Sequence, residues 1–169
     1  MHELVDTIIS QDILFELARS IRLLPFEARK DAQIIFSHIL RFKPNNSSAP
    51  SAISYLVLQR PEIIVELCHG YNYPKIALTC GTILRQALQH DSITALVLYD
   101  ESKEGDKAVD LKTVNVNVKQ SGEGLFWNFF NWIDQESFEV GVDAFTTFRV
   151  GHSVDFGGEY SRDFILRKF

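Results

Sequence analysis

Apolar residues in this chain recur every three or four positions, and they do so three times over in closely similar strings. Residues 26–41 read FEARKDAQIIFSHILR, residues 74–89 read PKIALTCGTILRQALQ, and residues 138–149 read FEVGVDAFTTFR. A shift of 48 positions and then of 64 brings Ala32, Cys80 and Ala144 into one column, and Phe36, Leu84 and Phe148 into another. Spacing of this kind predicts amphipathic helices. Repetition at such an interval predicts stacked repeats, which work by presenting a surface. The apolar stripe of the first copy is Ala28, Ala32, Ile35, Phe36, Ile39 and Leu40; that of the second is Ile76, Cys80, Ile83, Leu84, Ala87 and Leu88. One unit cannot bury such a stripe, whereas a stack of neighbours can.

Shorter helical patterns fill the intervals. Glu3 to Leu24 is helical by spacing, and Pro25 ends it because its ring cannot continue a helix. The string FKPNNSSAP (42–50) predicts a turn. Pro61 divides Ala52–Arg60 from Glu62–Gly70, with Gly70 as the C-terminal stop. A turn at Tyr71–Pro74 leads into the second long helix, 74–90, and Asp91 or Ser92 caps a short helix through Leu98. Residues 100–122 are polar and charged and predict an exposed loop; alternating Val114, Val116 and Val118 leave a short hairpin or partner-binding strand as the alternative. Helices resume at Leu125–Ile133 and Phe138–Arg149. Two short helices and one long one per unit is the armadillo or HEAT arrangement. The expectation is an all-α, armadillo/HEAT-like solenoid of about two and a half repeats over residues 1–149, with an inserted loop at 100–122. Gly151, Gly157 and Gly158 oppose a helix in 150–169, which is expected to be a divergent tail, disordered or short-helical.

Composition narrows the function classes. The 169 residues suit one domain, and 46% apolar content supplies a core. A formal net charge of -5 argues against a nucleic-acid partner, which needs a basic stripe. No apolar run is long enough for membrane insertion, and the acidic N-terminus MHELVDTIIS is unlike a signal peptide. Cys68 and Cys80, isolated in helical context, predict reduced buried thiols and suit a cytoplasmic protein.

Motifs for chemistry are absent from the pattern. Asp100 to Asp106 holds acids and Gly105, but not in the order of a calcium loop. Cys68, His69 and Cys80 lack the paired spacing and fourth ligand of a structural zinc site. Gly157-Gly158 lacks the lysine of a phosphate loop. His38 lies two turns from Asp31 with no nucleophile beside them. In LFWNFFNWI, core spacing selects Leu125, Phe126, Phe129, Phe130 and Ile133, and leaves Trp127 and Trp132 harder to place. Neither catalytic residues nor a cofactor are expected. The best candidate is the polar stripe opposite the apolar one: Glu27, Asp31, His38 and Arg41, then Lys75, Thr79, Thr82, Gln86 and Gln89, then Glu139, Asp143 and Thr146, flanked by Arg85 and Arg149. Of these, Asp31, His38, Arg41, Thr79, Thr82, Arg85, Gln86, Gln89, Asp143, Thr146 and Arg149 are the expected partner-binding residues. A polar ladder of this kind either recognises a protein surface or is simply solvated. Arg85 and Arg149 share one repeat position, where they suit acidic groups on a partner.

The strings LPFEARKDAQIIFSHILR, CHGYNYPKIALTCGTILRQALQH and FFNWIDQESFEVGVDAFTTF resemble the calcium-binding protein 39 family, the Mo25-like proteins that include conidiophore development protein HymA. The resemblance runs from about Val5 to Arg149, apart from the inserted loop, and GYNYPKIALTCGTILR is its most specific part. It implies an armadillo-like fold without enzymatic activity. It implies a scaffold that binds a protein kinase or pseudokinase of the sterile-twenty class and stabilises its active conformation. In fungal members this serves polarised growth and cell separation, and so signalling for cell polarity and morphogenesis. Family chains are longer, so the resemblance implies a partial-length member. The family's pocket for a partner's C-terminal peptide lies in later repeats and maps onto no residue here. A truncated solenoid without independent activity, and a small enzyme, are the alternative readings.

Overall fold

The computed structural model describes residues 2–43, 51–98 and 124–152. Its helices are α1 (His2–Ser10), α2 (Ile13–Ser20), α3 (Phe26–Arg41), α4 (Ser51–Leu58), α5 (Glu62–His69), α6 (Pro74–Ala87), α7 (Asp91–Leu98), α8 (Leu125–Ile133) and α9 (Phe138–His152), with a 3-10 turn at Gly70–Asn72. There is no strand among the described residues. The helices fall into triplets, α1–α3, α4–α6 and α7–α9. Equivalent members stack: α2 on α5, α4 on α7, and α3 on α6 on α9. One apolar core runs through all three units, from Val5 and Leu14 through Phe36, Tyr55 and Leu84 to Phe129 and Ala144. This is the expected helical repeat solenoid. The loop and hairpin readings of 100–122, the 44–50 part of the predicted turn, and the glycine-rich tail beyond 152 lie outside the described residues.

Ahead of the long helix α3, the first unit has two helices, α1 and α2, where the sequence pattern predicts one continuous stretch from Glu3 to Leu24. The break is Asp12, whose backbone is left-handed at φ 54, ψ 26. Aspartate tolerates this conformation better than most residues, and tertiary partners hold it. Its Oδ1 accepts from Tyr55 Oη at 2.8 Å and Arg60 Nε at 3.0 Å, and Oδ2 accepts from Arg60 Nη2. The Arg60 guanidinium in turn lies 5.1 Å from the Phe15 ring centroid. Hydrogen bonds from Arg60 and then Tyr55 draw the Asp12 carboxyl down to about 2, from 3.8. A depressed carboxylate adds stability that is complete above its unfolded value and is lost as pH falls through its folded value. Asp12→Asn keeps the shape and the tolerance of φ > 0 but removes the charge. Its urea midpoint is therefore expected to fall below that of the parent by a constant gap above about pH 5, and the gap to close as pH falls from about 4 toward 2. A gap that did not vary with pH would remove the charge from this account.

Three further boundaries differ from the pattern. Gly70 does follow α5, but with helical φ -53, so it is not a left-handed stop. It leads directly into the 3-10 turn, and a Cβ there would sit 2.3 Å from Cys80 Sγ. Asp91 is the first residue of α7 rather than a cap outside it. The helix α9 runs on past Arg149 to His152, because one glycine costs a helix only about 1 kcal/mol and Gly151 lies against Leu88, the residue that follows α6. In α8 the aromatic assignment shifts by one face. Trp132 is buried and Phe130 is exposed. The indole of Trp132 finds a partner for its N–H, the Asn72 Oδ1 at 2.7 Å, which lets a polar-tipped ring enter the core. Phe130 instead stacks on Trp127 at 5.7 Å. None of the described helices is long and apolar enough to cross a membrane.

Candidate functional site

The long helices α3, α6 and α9 begin at matched positions: Phe26, Pro74 and Phe138. Pro74 opens α6 where the missing N–H has no intrahelical partner to lose. The three helices pack side by side, α3 on α6 and α6 on α9. Asp31, His38 and Arg41 are exposed on α3, Gln89 after α6, and Thr146 and Arg149 on α9. His38 and Arg41 border a mainly apolar cleft of about 390 Å³ between α1 and α3, lined also by Leu4, Ile8, Ile34 and Phe42. Thr79, Thr82, Arg85, Gln86 and Asp143 are half-buried. Thr82 and Thr146, at one repeat position, do the same thing: each hydroxyl donates to the carbonyl four residues back at 2.8 Å.

Arg85 and Asp143 are brought together within the chain. Arg85 Nη1 lies 2.9 Å from Asp143 Oδ1 and donates to Thr147 Oγ1 at 2.9 Å, while Nη2 donates to Thr82 Oγ1 at 3.2 Å. Tyr71 Oη donates to Asp143 Oδ2 at 2.7 Å and lies 2.6 Å from Thr147 Oγ1. The proton directions follow from the inventory of donors. Tyr71 has one hydroxyl proton and gives it to Asp143, so Thr147 donates to Tyr71 and accepts from Arg85. The ring Arg85–Thr147–Tyr71–Asp143 is thereby closed, and each hydroxyl both gives and receives. Burial, and then Asp143, push the Tyr71 phenol well above its usual range. Tyr71 itself is held by stacking on Trp132 at 5.5 Å and by an edge contact with Phe129.

Gly81 makes room for this ring. A Cβ at that position in mid-α6 would come within 1.9 Å of Asp143 Oδ2 and 2.4 Å of Tyr71 Oη. A lone glycine inside a helical pattern is the sequence signal that a close approach occurs there. The polar partners Tyr71 and Thr147 carried no such signal, since one lies in a turn and the other in a threonine pair. Cys68 and Cys80 are buried free thiols. Burial raises both, Cys80 to about 12, which keeps them protonated. No group of three or more metal-ligating side chains occurs among the described residues. The candidate residues thus divide into exposed ones on α3, just after α6 and on α9, and half-buried ones of which Arg85 and Asp143 are joined across α6 and α9.

A family model described as Mo25-like matches residues 1–151. Conidiophore development protein hymA of Emericella nidulans is 58% identical over 151 residues, which cover 88% of this chain and 39% of that protein. MO25-like protein 2 of Caenorhabditis elegans is 30% identical over 147 residues, 87% of this chain and 36% of that protein. Calcium-binding protein 39-like of Homo sapiens is 27% identical over 147 residues, again 36% of its length. The chain thus spans under two fifths of each of these relatives.

Proposed function

This chain belongs to the Mo25-like family of scaffold proteins, and from that premise we propose that it is a non-enzymatic, cytoplasmic scaffold for a protein kinase or pseudokinase of the sterile-twenty class. Its output is signalling for cell polarity and morphogenesis. The observation that supports this reading is the side-by-side packing of α3, α6 and α9, with exposed Asp31, His38, Gln89, Thr146 and Arg149 distributed over three units. A rigid, multi-helix surface suits recognition of a folded partner, because little freedom is lost when it binds. The mechanism is population shift. A scaffold that binds the active arrangement of a kinase about 1.4 kcal/mol better than the inactive one changes their ratio tenfold.

Kinases of this class, purified and mixed with the chain, are expected to be retained by it and to phosphorylate a peptide substrate faster. Arg149→Glu and Gln89→Ala, both at exposed positions, are expected to weaken retention while leaving the thermal midpoint unchanged. Failure of every such kinase to bind or to gain activity would overturn the proposal.

A further inference from the structure

A different surface lies at the N-terminal ends of α3 and α6. Leu23, Phe26 and Tyr73 are 79%, 65% and 43% exposed there. Cations accompany the two rings: Lys30 Nζ lies 4.3 Å from the Phe26 centroid, and Arg22 Cζ lies 4.7 Å from that of Tyr73. One side chain, Arg29, ties this into a single patch across two repeats. Arg29 donates to the Lys75 carbonyl at 2.8 Å and to the Arg22 carbonyl at 3.5 Å, joining the turn before α3 to the first turn of α6. Among the described residues, no carboxylate pairs with Arg22 or Lys75. The acids on this part of α3 are Glu27, engaged by Lys30 at 3.2 Å, and Asp31 a turn further on.

We infer that this patch of Arg22, Leu23, Phe26, Lys30, Tyr73 and Lys75 is a docking surface for an acidic protein segment that carries aromatic or aliphatic side chains. Charge complementarity carries the argument. In a chain of net charge -5, Arg22 and Lys75 stand beside exposed apolar groups with no carboxylate partner among the described residues. Exposed aromatic surface is hydrophobic area to be covered, and cations beside it offer partners to carboxylates on whatever covers it. An anionic bilayer has the same two chemistries, but electrostatic binding to it draws on clusters of about 4–8 basic residues, and the negative charge of the chain opposes its approach. The patch lies at the start of the polar stripe, where Lys75 belongs to both, but it shares none of the residues expected above to bind the partner, and the inference does not depend on the kinase reading.

The test is fluorescence anisotropy with a short labelled peptide of alternating glutamate, leucine and phenylalanine, next to a twin in which every glutamate is glutamine. The acidic peptide is expected to bind, more weakly as salt rises, and the glutamine twin to bind about tenfold less well. Arg22→Glu with Lys75→Glu is expected to lower affinity for the acidic peptide about tenfold or more, with a thermal midpoint like that of the parent because both side chains are exposed. Phe26→Ala is expected to weaken it as well, and Arg149→Glu to leave it unchanged. Equal binding of the two peptides, or undiminished binding by the double charge reversal, would overturn the inference. So would uptake of the chain by phosphatidylserine vesicles without binding to the peptide.

Discussion

Replacing Gly70 by alanine is expected to destabilise the fold by about 2–3 kcal/mol, although local propensity argues for the opposite sign. Gly70 has helical φ and ψ, so alanine there is favoured by up to about 1 kcal/mol, chiefly because it has less freedom to lose from the unfolded chain. The new Cβ, however, would lie 2.3 Å from Cys80 Sγ and 2.7 Å from Cys80 Cβ. Cys80 is fully buried in α6, and its Cβ moves only with the helix backbone. Overpacking of this kind costs about 1–3 kcal/mol and occasionally more, and here it must also part α5 from α6. At about 2–4 °C per kcal/mol for a chain of this size, the midpoint is expected to drop by about 5–10 °C. Cys80→Ala removes the closer contact and leaves the other, so it is expected to rescue the variant in part. Cys80→Gly removes both. A coupling energy near zero between positions 70 and 80, or a stabilised Gly70→Ala, would show that the turn does not approach α6 so closely.

Gly70 also shows where the sequence was legible and where it was not. Periodicity located each long helix, because burying the columns of Ala32, Cys80 and Ala144 and of Phe36, Leu84 and Phe148 against neighbouring units is what forms the core. A rule about helix ends located Gly70 but assigned it the wrong reason, since handedness and close approach both select glycine. Asp12 was missed for a related cause. Nothing local breaks Glu3–Leu24, and the break is made by Tyr55 and Arg60 from the next unit. Trp132 escaped the pattern because its burial depends on Asn72, sixty residues away in the chain. For Asp12 and Trp132 the deciding contact is long-range and polar, and helical spacing records only the apolar face. The candidate ladder was legible as a face for the same reason. Which of its members already answer to one another was not, because Arg85 and Asp143 meet only once α6 and α9 are packed.

That pairing yields the second large expected effect. Arg85→Leu leaves Asp143 with one partner fewer in a setting where the two side chains are only 24% and 13% exposed. Breaking a buried pair from one side costs about 3–5 kcal/mol; with this partial exposure, and with Tyr71 still donating to Asp143, about 2–3 kcal/mol is expected. The double variant Arg85→Leu, Asp143→Leu leaves no unmatched charge, and Tyr71 and Thr147 keep their mutual hydrogen bond. It is expected to regain much of the loss, with a coupling energy of about 1–3 kcal/mol, read from urea midpoints. The same cycle decides what Arg85 is for. If the ring is a strut between the second and third units, Arg85→Leu lowers stability, and kinase retention falls only as far as the folded population does. Arg149→Glu, at the same position one repeat on but exposed, is expected to do the opposite, lowering retention at constant stability. Loss of retention in Arg85→Leu with an unaltered midpoint would instead make Arg85 a contact to the partner, and the ring with Asp143 an arrangement that opens on binding.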